Sequence, residues 1–167
     1  MRLQDSQFTI IENEIKTTPL LSWDIVKLLL WDLEVTIFKN LDKIALENNW
    51  HFKYFIDGYT HFKGYSIILV DHKLRICAAS SNIKIMTGYS SEEVLGRTAN
   101  FAHGEQTNSD CKFLSTIAID EELPFHSRLV YYDSSGNPYG CETHAFPIYN
   151  DLGKLCHYIA FEQAYSV

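Results

Sequence analysis

Histidine, cysteine, glutamate and tyrosine carry most of the chemistry this sequence could perform, and their spacing limits what that chemistry is. The tetrapeptide Cys141-Glu142-Thr143-His144 has the residue types of half a zinc site. On a strand, residues three apart point to opposite faces, so Cys141 and His144 cannot share one ion. The adjacent pair Cys156-His157 fails for the same reason. No serine, cysteine or histidine stands in a nucleophile-elbow or triad context. The run from Gly104 to Asn108 is too short to be a phosphate loop. Glu162 and His103 could serve as acid and base only if folding put both in one cleft. Asp71-His72 falls on an expected turn and reads as surface. These residues predict a protein that is not an enzyme and holds no metal.

The composition is that of an ordinary globular chain. Its 167 residues are 46% apolar and 21% charged, enough to bury a core in one domain with an added helical element. A net charge of −7 repels phosphate backbones, which argues against nucleic acid as a direct partner. The opening MRLQDSQFTIIENE lacks the apolar centre of a secretory leader, and no apolar run approaches a membrane span. Cys77, Cys111, Cys141 and Cys156 are irregularly spaced and read as reduced thiols, so a cytoplasmic location with no membrane contact is expected.

Several elements must position these side chains. Residues 1–18 read as an irregular or partly ordered arm. Ser22 can cap a helix from Trp23, and Ile37, Phe38, Leu41, Ile44 and Ala45 share one face of a second helix over 34–48, ended by Asn48-Asn49. Residues 50–64 are aromatic-rich without a clean period and read as a connector. From Tyr65 the period becomes that of strands: YSIILVD and LRICAA flank the turn DHK. Two short helices follow, capped by Ser81 and by Ser90 or Ser91, with Gly88 between them. A longer helix opens at Thr107 or Asn108 and ends before Pro124. FHSRLVYYD, PYGCETHAFPIYN and LCHYIAFEQ then form three strands joined by glycine-bearing turns. The order predicts an α+β fold, an antiparallel sheet with helices on one face.

The succession MTGYSSEEVLGR, helix, YYDSSGNPYGCETHAFPIYNDLGKLCHYIAFE resembles a PAS domain over Tyr65–Gln163. The resemblance implies a five-stranded sheet, with residues 1–64 as an N-terminal arm and helical extension and 65–167 as the PAS domain. Within that family GRTANFAHG is similar, without a gap, to the flavin-binding LOV segment Gly-Arg-Asn-Cys-Arg-Phe-Leu-Gln-Gly. Gly136, Pro138, Pro147 and Ile148 also fall in register. The residues a flavin needs are mostly replaced. Ala99 stands where the adduct-forming cysteine belongs, and Asn100 where an arginine meets the flavin phosphate. His103 replaces a glutamine, Tyr131 and Cys141 replace the asparagines of the ring edge, and Glu162 replaces the last-strand glutamine. Ionised glutamate only accepts hydrogen bonds and a thiol is a weak partner, so the resemblance implies that adduct photochemistry is lost and flavin disfavoured. Haem is disfavoured too, since the helix beside the expected pocket offers Cys111 and no histidine.

Given the orientation this resemblance implies, strand parity aims His103, Tyr131, Cys141, Thr143, Tyr158 and Glu162 inward as the lining of a candidate pocket. Val130, Phe146, Leu155, Ile159 and Phe161 would point outward, making an apolar patch that needs cover from Trp23, Leu28, Leu29, Trp31 and Phe38 or from a second copy. The chain is expected to be a non-catalytic sensory or interaction module without an attached effector, acting through a homodimer built on the N-terminal helices and the outer sheet face, or through an unidentified protein partner. It resembles short stand-alone bacterial PAS proteins. The alternative is a receptor for flavin or another small ligand with non-adduct chemistry.

Overall fold

The computed structural model describes residues 6–10, 21–29, 37–52 and 63–167. The five expected strands are present: β4 (Ser66–Asp71), β5 (Ile76–Ala79), β6 (Phe125–Tyr132), β7 (Pro138–Tyr149) and β8 (Leu155–Tyr165). Three short strands from the N-terminal region, β1 (Gln7–Ile10), β2 (Leu21–Ser22) and β3 (His51–Phe52), raise the total among the described residues to eight. The order is β1-β6-β7-β8-β4-β5, all antiparallel, with β3 bridging β2 to β7. The helices are α1 (Trp23–Leu29), α2 (Phe38–Asn48), α3 (Ile83–Thr87), α4 (Ser91–Val94) and α5 (Ser109–Asp120).

Strand β1 corrects the expectation of an irregular arm. It pairs with β6 from Gln7–Arg128 to Ile10–Phe125, and Phe8 stacks on Phe125 at 5.4 Å. Without it β6 would end the sheet with a row of unpaired backbone groups, and the β-forming residues Phe8, Thr9 and Ile10 suit that position. Caps follow local chemistry. Ser90 and Glu93 complete a reciprocal capping box on α4, the Asn108 side chain accepts from Cys111 N on α5, and Asn49 closes α2 in the left-handed region. On α3 the N-cap is Asn82, not Ser81.

The sheet is buried on both faces. On one, Ile68, Val70, Ala145 and Tyr158 pack against Ile83 of α3, Val94 of α4 and Ala118 of α5. On the other, Ile67, Leu69, Phe146, Ile148, Ile159 and Phe161 pack against Trp23, Val26, Ile37, Leu41, Ala45, Trp50 and Phe52. The chain's own N-terminal segments therefore cover the apolar outer patch, and no second copy is required for that. Trp31 and the side chains of Leu28, Leu29 and Phe38 lie outside the described residues. Leu155 packs with the inner set, against expectation, because the β7–β8 register shifts at Ile148/Tyr149 and reverses the parity beyond it.

Polar contacts fix the N-terminal layer in place. Asp42 accepts from Trp23 Nε1 at 2.8 Å and from Lys27 Nζ at 2.6 Å, tying α1 to α2. Trp50 Nε1 donates to His157 Nδ1 at 3.1 Å in a buried contact that joins this layer to β8. Burial holds His157 well below the usual histidine range, at about 4, so its ring stays neutral and able to accept. Trp50→Phe keeps the aromatic packing but leaves that nitrogen buried and unsatisfied. It should lower the unfolding free energy by about 1 to 3 kcal/mol in urea denaturation at pH 7, and a loss within error of zero would show that the bond is not needed.

Candidate functional site

A cavity of about 300 Å³ lies between the inner face of the sheet and α5. The segment after α4 forms its other wall. Gly96 turns the chain there with φ of 77°, and Gly96 N and Ile76 N bond to Ile76 O and Arg97 O across the β5 edge. Ala99 N then donates to Leu74 O, which sets Thr98, Ala99 and Asn100 against the cavity. Arg97 lies over the rings of Tyr89 and Phe101, at 4.7 and 5.3 Å. Gly104 ends the segment flat against the Tyr132 ring, where any Cβ would collide. Its amide donates to Thr107 Oγ1, which in turn donates to Val130 O.

Five of the six expected residues line this cavity: His103, Tyr131, Thr143, Tyr158 and Glu162. Cys141 does not. It faces inward as parity required but is fully buried among Ala102, Cys111, Leu129 and Tyr131, with Sγ 3.8 Å from Thr143 Oγ1. The Tyr158 hydroxyl is turned to the carbonyls of Ala118 and Leu123, both at 3.4 Å, so this residue presents its ring. The rings of His103 and Tyr131 lie 5.0 Å apart. Ala99 lines the wall where the resemblance placed a reactive thiol, and no cysteine is among the described residues lining the cavity.

Electrostatics sort the polar residues by role. The Glu162 carboxyl accepts from Thr143 Oγ1 at 3.4 Å, and burial pushes its pKa up to about 7 against the opposing hydrogen bonds from Thr143 and Cys141. Its carboxyl is enclosed by protein although the residue is only half-buried by accessible area; the difference is the surface it presents to the cavity. Burial, reinforced by the charge of Lys112, lowers His103 to about 4, so its imidazole is neutral near pH 7. Burial drives the Tyr131 and Cys141 protons on more firmly, helped by the nearby Glu162.

Sequence reasoning missed several neighbours. Lys112, Ser115, Thr116 and Ile119 line the cavity from one face of α5, a 3/4 spacing that was readable. Lys73 and Leu74 reach it from the β4–β5 turn, which nothing in their spacing announced. Tyr139 shares the inward parity of Cys141 and packs edge-on to Tyr131 at 6.2 Å. Its hydroxyl is buried without a hydrogen-bond partner.

An antiparallel sheet whose helices enclose a small cavity on one face defines an α+β domain of the PAS type. The PAS domain family model matches residues 64–163, and the chain belongs to that family. Protein TWIN LOV 1 of Arabidopsis thaliana is 35% identical over 88 residues, which is 52% of this chain and 22% of that protein. This chain thus spans under a quarter of that relative. An RNA-binding light-oxygen-voltage receptor superposes over 95% of this chain and 38% of its own, with TM-score 0.62 and 17% identity. The light-state dimer of the fungal blue-light photoreceptor Vivid superposes over 60% of this chain and 77% of its own, with TM-score 0.57 and 24% identity. Both structural likenesses are of fold.

A flavin does not fit the donor set. Of the two positions to which the resemblance assigns the flavin ring edge, Tyr131 lines the cavity and Cys141 is packed among Ala102, Cys111, Leu129 and Tyr131, away from the lining. With its pKa raised to about 7, Glu162 holds its proton to higher pH than an ordinary carboxyl, and a protonated carboxyl donates as well as accepts.

A pH dependence follows. The folded protein holds the Glu162 proton more tightly than the unfolded chain. This stabilising contribution is complete below about pH 4.5 and is lost as pH rises through about 7. Wild type should therefore lose on the order of 2 to 3 kcal/mol relative to Glu162→Gln across that interval. The depressed histidines His103, His144 and His157 give the opposite slope from about 4 to 6.5, but equally in both proteins. Parallel denaturation profiles of the two proteins would contradict the assignment.

Proposed function

We propose that this chain is a non-catalytic sensory PAS module whose cavity holds a small ligand and whose occupancy is reported through protein contacts. The observation that carries the reading is Glu162, whose carboxyl lines an otherwise largely apolar cavity beside Thr143 Oγ1 at 3.4 Å. Thr143 Oγ1 donates to it, the Tyr131 and neutral His103 rings, 5.0 Å apart, share the lining, and Tyr158 supplies an apolar wall. Such a lining suits a compact, uncharged ligand with one hydrogen-bonding edge. Cys141 supports Thr143 from behind and does not contact the ligand.

The output proposed is a homodimer or a separate protein partner, met through the N-terminal helices. Ile25 on α1 and Leu46 on α2 are 47% and 81% exposed on the outside of the layer that covers the sheet. The dimer of the structurally similar Vivid supports self-association as the mode. A cytoplasmic setting without nucleic-acid or membrane contact suits the negative charge. No helix among the described residues is long and apolar enough to cross a membrane.

Native mass spectrometry of freshly purified protein tests ligand and subunit count together. The expected spectrum shows dimers carrying a small-molecule mass that denaturation releases and that Glu162→Ala diminishes. A bare chain, with no mass gained from a metabolite extract, would sink the ligand reading.

A second reading, a flavin receptor working without an adduct, is favoured by one observation: protonated Glu162 can stand in for the glutamine amide it replaces. Absorbance of the purified protein in the near-ultraviolet and blue decides it. The ring-edge mismatch predicts a colourless protein.

A further inference from the structure

Toward β6 the outer face of the sheet exchanges apolar side chains for polar ones. His126 on β6 and His144 on β7 are direct cross-strand partners. Their imidazoles stack with centroids 4.3 Å apart and planes 20° from parallel. Glu142 lies two residues before His144 and so on the same face. Its Oε1 is 2.9 Å from His126 Nε2 and 4.0 Å from His144 Nε2. Ligand atoms of all three residues lie within 4.8 Å of one another. The other carboxylate oxygen, Oε2, accepts from the Tyr65 hydroxyl at 2.9 Å. Tyr65 therefore orients the carboxylate so that one oxygen faces both ring nitrogens.

We propose that His126, Glu142 and His144 form a binding site for a first-row divalent cation, Zn²⁺ in the first instance. Two imidazoles and one carboxylate are the borderline donor set that such ions prefer over Ca²⁺ or Mg²⁺. Ligands about 2.0 to 2.1 Å from a tetrahedral ion stand about 3.3 Å apart. One observed N···O separation is shorter than this and the other longer, and the stacked imidazoles must turn out of their near-parallel arrangement to aim both nitrogens at a shared ion. Ligation needs His126 Nε2 without a proton, and the metal then replaces the present His126–Glu142 hydrogen bond with a bond to each residue. Side-chain exposures of 23 to 27% leave the site open to solvent, so water completes the shell. The two strands supply a rigid frame, and Tyr65 acts as the outer-shell support that metal sites require.

One cation stands nearby. Arg128 pairs with Glu142 across the strands, but its guanidinium lies over the Tyr165 ring, 4.0 Å from the centroid. Gly140 leaves room for that ring, because a Cβ there would strike it. The arginine is thus held over an aromatic face while the Glu142 oxygens go to Tyr65 and His126. The site lies on the opposite face of the sheet from the cavity and does not depend on the ligand reading.

The test uses tag-free, chelator-stripped full-length protein titrated with ZnCl₂ by calorimetry and with CoCl₂ by visible absorption. The expected result is one ion per chain, with ligand-field bands and without the thiolate charge-transfer band of cysteine ligation. His126→Ala and His144→Ala should each weaken binding at least tenfold, and Tyr65→Phe about 10-fold or more. His72→Ala and Cys156→Ser should leave it unchanged. Should the histidine variants misfold, Co²⁺ broadening of the His126 and His144 ring protons in wild type decides the matter. No uptake by wild type, uptake that survives loss of both histidines, a thiolate band, or sharp His126 and His144 resonances would each overturn the assignment.

Discussion

Strands β7 and β8 pair antiparallel from Gly140–Tyr165 to Tyr149–Leu155, and nearly every side chain on them must commit to one of two covered faces. A sheet face left bare would expose the aromatic and aliphatic residues of the outer row, so a second layer is a physical necessity. That layer comes from the N-terminal helices and the Trp50–Phe52 segment, locked on by the buried Trp50–His157 bond. Burial of the outer face frees the inner face to be imperfectly filled. The stabilisation lost to the cavity is offset by a core on the other side of the same strands.

The cavity is the place where packing gives way to chemistry. A carboxyl enclosed beside a threonine, two tyrosines and a buried thiol is an arrangement that water would relieve and apolar packing would not. The protein keeps it by letting the proton stay on at neutral pH, which costs less than a buried charge. His103 meets the same problem by shedding its proton. His103 is therefore neutral near pH 7, while Glu162 changes its charge across the neutral range. Lys112 and Lys73 bring positive charge to other parts of its lining.

Parity also separates two polar constellations that lie close in sequence. Cys141 and Thr143 face the cavity side, while Glu142 and His144 face the other, where the β6 register brings His126 beside them. The reasoning that excludes a metal shared by Cys141 and His144 is the reasoning that unites Glu142 with His144. What it could not supply was the third ligand, because His126 is adjacent only once the β6–β7 register is fixed.

The sequence by itself carried the resemblance to the family, the five main strands, a choice of two caps each for α4 and α5, and, with the orientation that the resemblance implies, six inward candidates of which five line the cavity. These depend on period, on turn glycines and on short-range capping, all of which act between neighbours in the chain. Tertiary structure decided the rest. It made a strand of Gln7–Ile10 because β6 offered an open edge, and it reversed Leu155 through a register shift. It set Cys141 behind Thr143, and it gave Glu162 a proton that its sequence neighbours do not explain. Each of these depends on backbone pairing or solvent exclusion between segments distant in sequence, and such forces leave no mark on the local order of residues.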